Sequence, residues 1–204
     1  MRKIAKILCT CTILLGVFWL LDVAADRKIL GENLIRLHVV ADSDSDADQN
    51  VKLQVRDAIT RRLQPVMGDF QNVRQAEDYL QAHLSELEQI ANQALEAAGS
   101  SDNATVTLGK EAFPLRRYDT FSLPSGVYRS LRITIGEGQG KNWWCVVFPS
   151  LCMPAAGENF NDTAAGAGFS NGLSDTLKEE EPYQVRFFLL DLLGKVQNFF
   201  HQFW

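Results

Sequence analysis

A chain of 204 residues, 46% hydrophobic and 22% charged, has the ordinary balance of a globular protein and is long enough for one sizeable core. Its net charge of −5, with no basic patch interleaved with aromatics, argues against nucleic acid as a partner and fits a solvated acidic surface.

The first residues read as an export signal. Arg2, Lys3 and Lys6 form a positive start, Ile7 to Leu21 is an uncharged apolar run, and Val23-Ala24-Ala25 supplies small residues for cleavage after Ala25. The run is shorter than the roughly 20 apolar residues of a spanning helix, although Trp19, Leu20 and Leu21 keep an uncleaved anchor as the alternative. Cys9 and Cys11 lie too early in the run for a lipoprotein cysteine. Residues 1–25 are therefore set apart from an α+β domain over 26–154, which is more acidic once they are removed.

Leu34 to Val40 predicts the first strand, with Ile35, Leu37 and Val39 on one face and Arg36 and His38 on the other. The acidic run Asp42 to Asp48 resembles the opening of a calcium loop. Ala47 stands where that loop needs Gly, however, and Leu53 where it needs a bidentate Glu, so the run is read as a loop whose Asp46 or Asp48 caps the next helix. That helix is expected near Ala47 to Gln64, ending against Pro65. A second long helix opens at Gln71 or Asn72, buries Val73, Ala76, Leu80, Leu84, Leu87, Ile90, Ala94 and Leu95, and stops at Gly99; His83 falls on its polar side. Thr105 to Leu108 predicts a further strand.

Val127 to Cys152 predicts a buried β-hairpin. Val127 to Ile135 and Trp143 to Phe148 are rich in β-branched and aromatic residues, and Gly136 to Asn142 joins them through a glycine-rich turn. Outside the cytoplasm Cys145 and Cys152 invite a disulfide worth roughly 2 to 3 kcal/mol, the alternative being two buried thiols. Residues 155–181, rich in Gly, Ala, Asn and Asp, predict a flexible segment. Residues 182–204 predict an amphipathic helix docked through Val185, Phe188, Leu189, Leu192, Leu193, Val196, Phe200 and Phe203, with Arg186, Asp191, Lys195 and Gln197 facing elsewhere. If Phe187, Phe199 and Trp204 are exposed, the same helix becomes a membrane-surface or partner-binding element. The resulting fold class is α+β: a mixed or antiparallel sheet, made of the first strand plus the central hairpin, packed by two long helices and a C-terminal helix.

Catalytic motifs are look-alikes. Gly168-Phe169-Ser170-Asn171-Gly172 matches the nucleophile-elbow string without a preceding strand, and Gly136 to Lys141 is one residue short of a phosphate loop, with Asn142 in place of the magnesium-binding Ser or Thr. His38, His83 and His201 have no Cys or carboxylate at metal-ligand spacing. No cofactor, metal site or catalytic residue is expected.

The strings Ile35 to Ser45, Asp48-Gln49, Leu53, Val55-Arg56-Asp57, Leu123 to Tyr128 and Ile135 to Cys152 resemble stage II sporulation protein R of endospore-forming bacteria. Ser150 in place of a second proline, Asp42 in place of Asn, and residues 155–181 depart from that pattern. The resemblance implies a non-enzymatic signalling protein exported into the space between forespore and mother cell. Its implied partner is a membrane-embedded aspartic protease, which then processes the precursor of a mother-cell sigma factor. Candidate contacts are Arg36, His38 and Asp44 beside the first strand, and Trp143 and Trp144, since Arg and Trp are common interface anchors; core packing is the competing role for the tryptophans. Two other classes compete. An exported cell-envelope hydrolase needs Asp42, Asp44 and His38 to converge with a further carboxylate, and a structural envelope protein needs the C-terminal helix as its membrane attachment.

Overall fold

The computed structural model describes residues 2–151, 160–178 and 185–203. Its centre is a four-stranded mixed sheet of order β2-β5-β1-β6, formed by β1 (Ile35–Val40), β2 (Ala104–Phe113), β5 (Gly126–Ile135) and β6 (Asn142–Phe148). The short strands β3 (Arg116–Arg117) and β4 (Ser122–Leu123) pair beside it. The α+β class with a mixed sheet is as expected, but the central hairpin is not. Strand β1 lies between β5 and β6, parallel to the first and antiparallel to the second, so the glycine-rich connection straddles the end of β1. The strand propensity of both segments was legible, whereas their pairing depends on a strand about a hundred residues earlier in the chain, which local alternation cannot reveal. Strand β2, expected over Thr105 to Leu108, is longer and runs antiparallel to the whole of β5.

Two apolar layers sandwich this sheet. Ile35, Leu37 and Val39 of β1 join Leu131, Ile133 and Ile135 of β5 and Cys145 and Val147 of β6 against α2 (Asp46–Met67), α3 (Val73–Ala82) and α4 (Leu84–Ala97). On the opposite face Phe113, Tyr128 and Val146 pack with Val23, Leu30, Phe160, Leu173 and Leu190. Every residue of β1 is therefore buried, Arg36 and His38 included.

Helix boundaries shift where side chains compete with pattern. Ser45, rather than Asp46 or Asp48, caps α2 by accepting from the Asp48 N–H at 3.1 Å. The helix runs past Pro65 to Met67, a short overrun because proline removes a hydrogen bond from the last turn. The expected second helix is broken at His83, whose ring stacks on Tyr79 at 4.0 Å and whose Nδ1 lies 2.7 Å from the Tyr79 carbonyl. Within the stretch expected to be flexible, α5 (Phe160–Gly166) and α6 (Asn171–Lys178) are helical and bury Phe160, Ala164, Leu173 and Leu177. Apolar residues diluted among Gly, Ala and Asn had hidden that packing.

Helix α7 (Val185–His201) is amphipathic as expected and docks the other way round. The buried residues are Leu190, Asp191 and Gly194, and the polar side chains hold the domain. Asp191 accepts from the Ser125 N–H at 2.7 Å, Gln197 accepts from Arg27, and the Asn198 amide donates to the Phe113 carbonyl at 2.8 Å. Arg186 bridges Asp22 (2.8 Å) and Asp26 (2.5 Å) of α1 (Arg2–Asn33). Burial pushes the Asp191 carboxyl up, yet Lys195 and the Ser125 N–H together hold it below its ordinary value. Helical periodicity sets which residues share a side of α7 but does not say which side faces the domain.

Gly194 gives the docked orientation a sharp test, because an added Cβ would lie 1.6 Å from the Ser125 carbonyl oxygen. On helix propensity alone Gly194→Ala should stabilise by about 1 kcal/mol. We expect it instead to destabilise by about 1–3 kcal/mol, read as a lower melting temperature; a rise would mean that α7 does not dock through this face.

Candidate interaction surface

The acidic loop after β1 and the glycine-rich connection between β5 and β6 form a clasp. The Asp42 carboxylate accepts from the Glu137 N–H at 2.6 Å and Asp44 accepts from the Lys141 N–H at 2.7 Å, while Gln139 and Gly140 donate to the Asp42 and Ala41 carbonyls at 2.9 Å. Gly136 sits at φ +54, and a Cβ there would meet the Asp42 carboxylate oxygen at 2.1 Å, so both the turn and the close approach require glycine. Lys52 of α2 completes the clasp by donating to the Lys141 carbonyl at 3.0 Å. The resemblance of these segments to a calcium loop and a phosphate loop thus dissolves into one structure in which the acids receive the backbone of the glycine turn. Among the described residues, no group of three or more His, Cys, Asp or Glu could hold a metal ion.

A second surface comes from the outward side of α7. Val185, Phe188, Leu192, Leu193, Val196, Phe199, Phe200 and Phe203 are all exposed, from 40% at Leu193 to 69% at Phe203. Their three- and four-residue spacing aligns them as one stripe. A soluble surface rarely carries such a patch without a partner. Helix α1 adds a second exposed apolar element, since its residues from Ile4 to Leu21 are exposed while Val23, Asp26, Arg27 and Leu30 are buried against the domain. By length and composition α1 could cross a membrane, a test that a signal sequence also passes. The expected cleavage point after Ala25 falls within this continuous helix.

The residues expected to touch a partner do not form one surface. Asp44 is exposed in the clasp. Trp143 is half-buried against the α2 to α4 side, with Arg56 above its ring at 5.0 Å, whereas Trp144 lies on the opposite face. Strand alternation dictates that split. Trp144 stacks on His38 at 3.8 Å and meets Phe113 edge-on at 4.7 Å. Arg36, fully buried, lies 4.0 Å above Phe113 and 5.0 Å from Tyr128, and donates to the Tyr118 hydroxyl at 2.8 Å. Cys145 is buried in the first core; its expected bridge involves Cys152, which lies outside the described residues.

Glu111 of β2 was not singled out by sequence, because nothing local distinguishes it from other strand carboxylates. It accepts from Arg132 at 2.7 Å and lies 3.2 Å from His38 Nδ1, while His38 Nε2 lies 2.7 Å from the Asn142 side-chain oxygen. Burial pushes its carboxyl up, but hydrogen bonds led by that to His38 outweigh burial and bring the pKa down to about 2. A carboxylate depressed in the folded state adds stability above its ordinary value of 4.5 and loses it as pH falls toward about 2. Wild type should therefore unfold more readily across that window. In Glu111→Gln the melting temperature at neutral pH should be lower and this part of the acid dependence flatter; an unchanged pH profile would refute the assignment.

The description "Stage II sporulation protein R" belongs to a family model that matches residues 31–158. The stage II sporulation protein R of Bacillus subtilis (strain 168) is 35% identical over 153 residues, which cover 75% of this chain and 62% of that relative's length. No solved structure matches. Since the matched region runs from the end of α1 through β6, taking in the clasp and the layer around His38 and Trp144, the chain belongs to the stage II sporulation protein R family.

Proposed function

We propose that this protein is an exported, non-enzymatic sporulation signal that acts at a membrane surface. In this reading it occupies the space between forespore and mother cell and activates a membrane-embedded aspartic protease, which processes the precursor of a mother-cell sigma factor. The observation that carries the membrane part is the outward apolar stripe of α7, fastened through Arg186 to the helix whose apolar run could enter a bilayer. A ligand for a protease embedded in the membrane gains by being held at that surface, because confinement raises its effective concentration. Cleavage after Ala25 would remove Asp22 and Val23 but leave Asp26, Arg27 and Leu30, so the α7 stripe keeps most of its footing in either form.

The hydrolase reading requires Asp42, Asp44 and His38 to share a pocket. Their partners are different groups: Asp42 and Asp44 take backbone N–H groups of the glycine turn, and His38 takes Trp144, Glu111 and Asn142. A purely structural envelope protein would share the membrane contact and leave the protease unaffected.

Two measurements test the proposal. Protein starting at Asp26 should pellet with phosphatidylethanolamine/phosphatidylglycerol vesicles, and Phe188→Ser/Val196→Ser/Phe199→Ser should weaken that binding roughly tenfold or more while keeping its circular dichroism, since each removed side chain forfeits on the order of 1.5–3 kcal/mol of burial. Co-expression with the protease and the sigma precursor in a non-sporulating host should give processing that depends on this protein and falls with the triple variant. Processing that persists without the protein would eliminate the signalling role, and vesicle binding unmoved by the substitutions would eliminate the stripe.

A further inference from the structure

On the side of β1 facing Trp144, several buried N–H groups have no hydrogen-bond partner among the described residues. The guanidinium of Arg36 lies 4.0 Å from the Phe113 ring centre and 5.0 Å from that of Tyr128, two rings that meet edge-on, so they pack against adjacent sides of it and its N–H groups are left to find oxygen. Nη2 reaches the Tyr118 hydroxyl, but Nε and Nη1 are buried without a hydrogen-bond partner among the described residues. The same holds for Trp144 Nε1, whose ring is covered by His38 and Phe113, and for Arg116 Nε, whose guanidinium carbon lies 5.5 Å from the Trp144 ring. Glu111, the carboxylate on this side of β2, is taken by His38 and Arg132. A buried cation without an anionic acceptor is expensive, as is each buried donor left unmade. Phe113 touches both Arg36 and Trp144, and Trp144 in turn lies beside Arg116; of these side chains Arg36 is fully buried while Arg116 and Trp144 are half-buried.

We propose that Arg36, Arg116 and Trp144 form a receptor for a carboxylate, supplied by an aspartate or glutamate side chain of a protein partner. The donor set determines the ligand class: guanidinium and indole N–H groups bind no metal, and a carboxylate is the common biological anion that such N–H groups bind. Only the identity of the partner rests on the signalling role; the site itself does not. It also gives Arg36 and Trp144 a part in partner binding through an inserted acidic side chain instead of direct surface contact.

The test uses the full chain in detergent micelles with 15N-labelled tryptophan, whose four indole signals are assigned through Trp144→Phe and the corresponding single variants. N-acetylglutamate methylamide and acetate should shift the Trp144 indole signal saturably, and the isosteric glutamine amide should not. Tighter binding of the glutamate compound than of acetate assigns the site to a peptide side chain; equal binding assigns it to a free small carboxylate, and either supports a carboxylate receptor. Arg116→Ala should weaken the response at least several-fold in a protein that keeps its melting temperature, which keeps the test decisive if Arg36→Met does not fold. No shift, an equal response to the glutamine compound, or a response to phosphate alone would overturn the proposal.

Discussion

Burial of β1 on both edges and both faces is the constraint on which the rest of the molecule depends. Its backbone is hydrogen-bonded to β5 on one side and β6 on the other, and its alternate side chains enter two different interiors. Ile35, Leu37 and Val39 need only an apolar layer, which α2 and α4 provide. Arg36 and His38 need much more, because charge and polarity brought into a covered sheet face must be compensated there. The aromatic residues Phe113, Tyr118, Tyr128 and Trp144, together with Glu111, supply part of that compensation, drawn from β2, β5, β6 and the β3–β4 ribbon, while two N–H groups of Arg36 stay unpaired among the described residues. The strand thereby fixes where each of its neighbours must contribute a particular residue.

The same logic extends to the end of the strand. Where β1 stops, the acidic loop turns away, and its carboxylates and carbonyls take up the N–H groups of the turn that carries the chain over from β5 to β6. Two irregular segments that would each leave backbone groups exposed satisfy one another. On the far side of the domain α7 uses a comparable device, in which Asp191 and Asn198 meet backbone groups near Ser125 and Phe113. Polar contacts anchor the helix, and its apolar side is left for other work.

What the sequence made legible followed period and local chemistry. The alternation in Ile35 to Val40, the helical spacing from Val51 to Leu63, the amphipathicity of α7 and the apolar start of α1 are all present in the fold. The hairpin, the side on which α7 docks, and the helices within 160–178 were not legible, for different reasons. Strand partnership is non-local, a periodic stripe has no intrinsic inward direction, and short helices of Ala, Asn and Gly give a weak pattern although they bury Phe160 and Leu173. Among the candidate contacts, residue type did draw attention to Arg36, His38 and Trp144, which the fold brings together. Their burial, and the role of Glu111 between His38 and Arg132, depend on β2, which no pattern near Arg36 encodes.

The place of β1 in the sheet also governs when the protein can fold. Ile35 pairs with Arg129 on one edge and with Phe148 on the other, so the strand made first has no neighbour until nearly the entire sheet has been synthesised. High contact order of this kind delays the closure of the core and slows folding. Under the export proposed above the delay is useful: the central strand would stay unpaired while it is threaded through the membrane, and the sheet would close only after β6 had followed it to the other side.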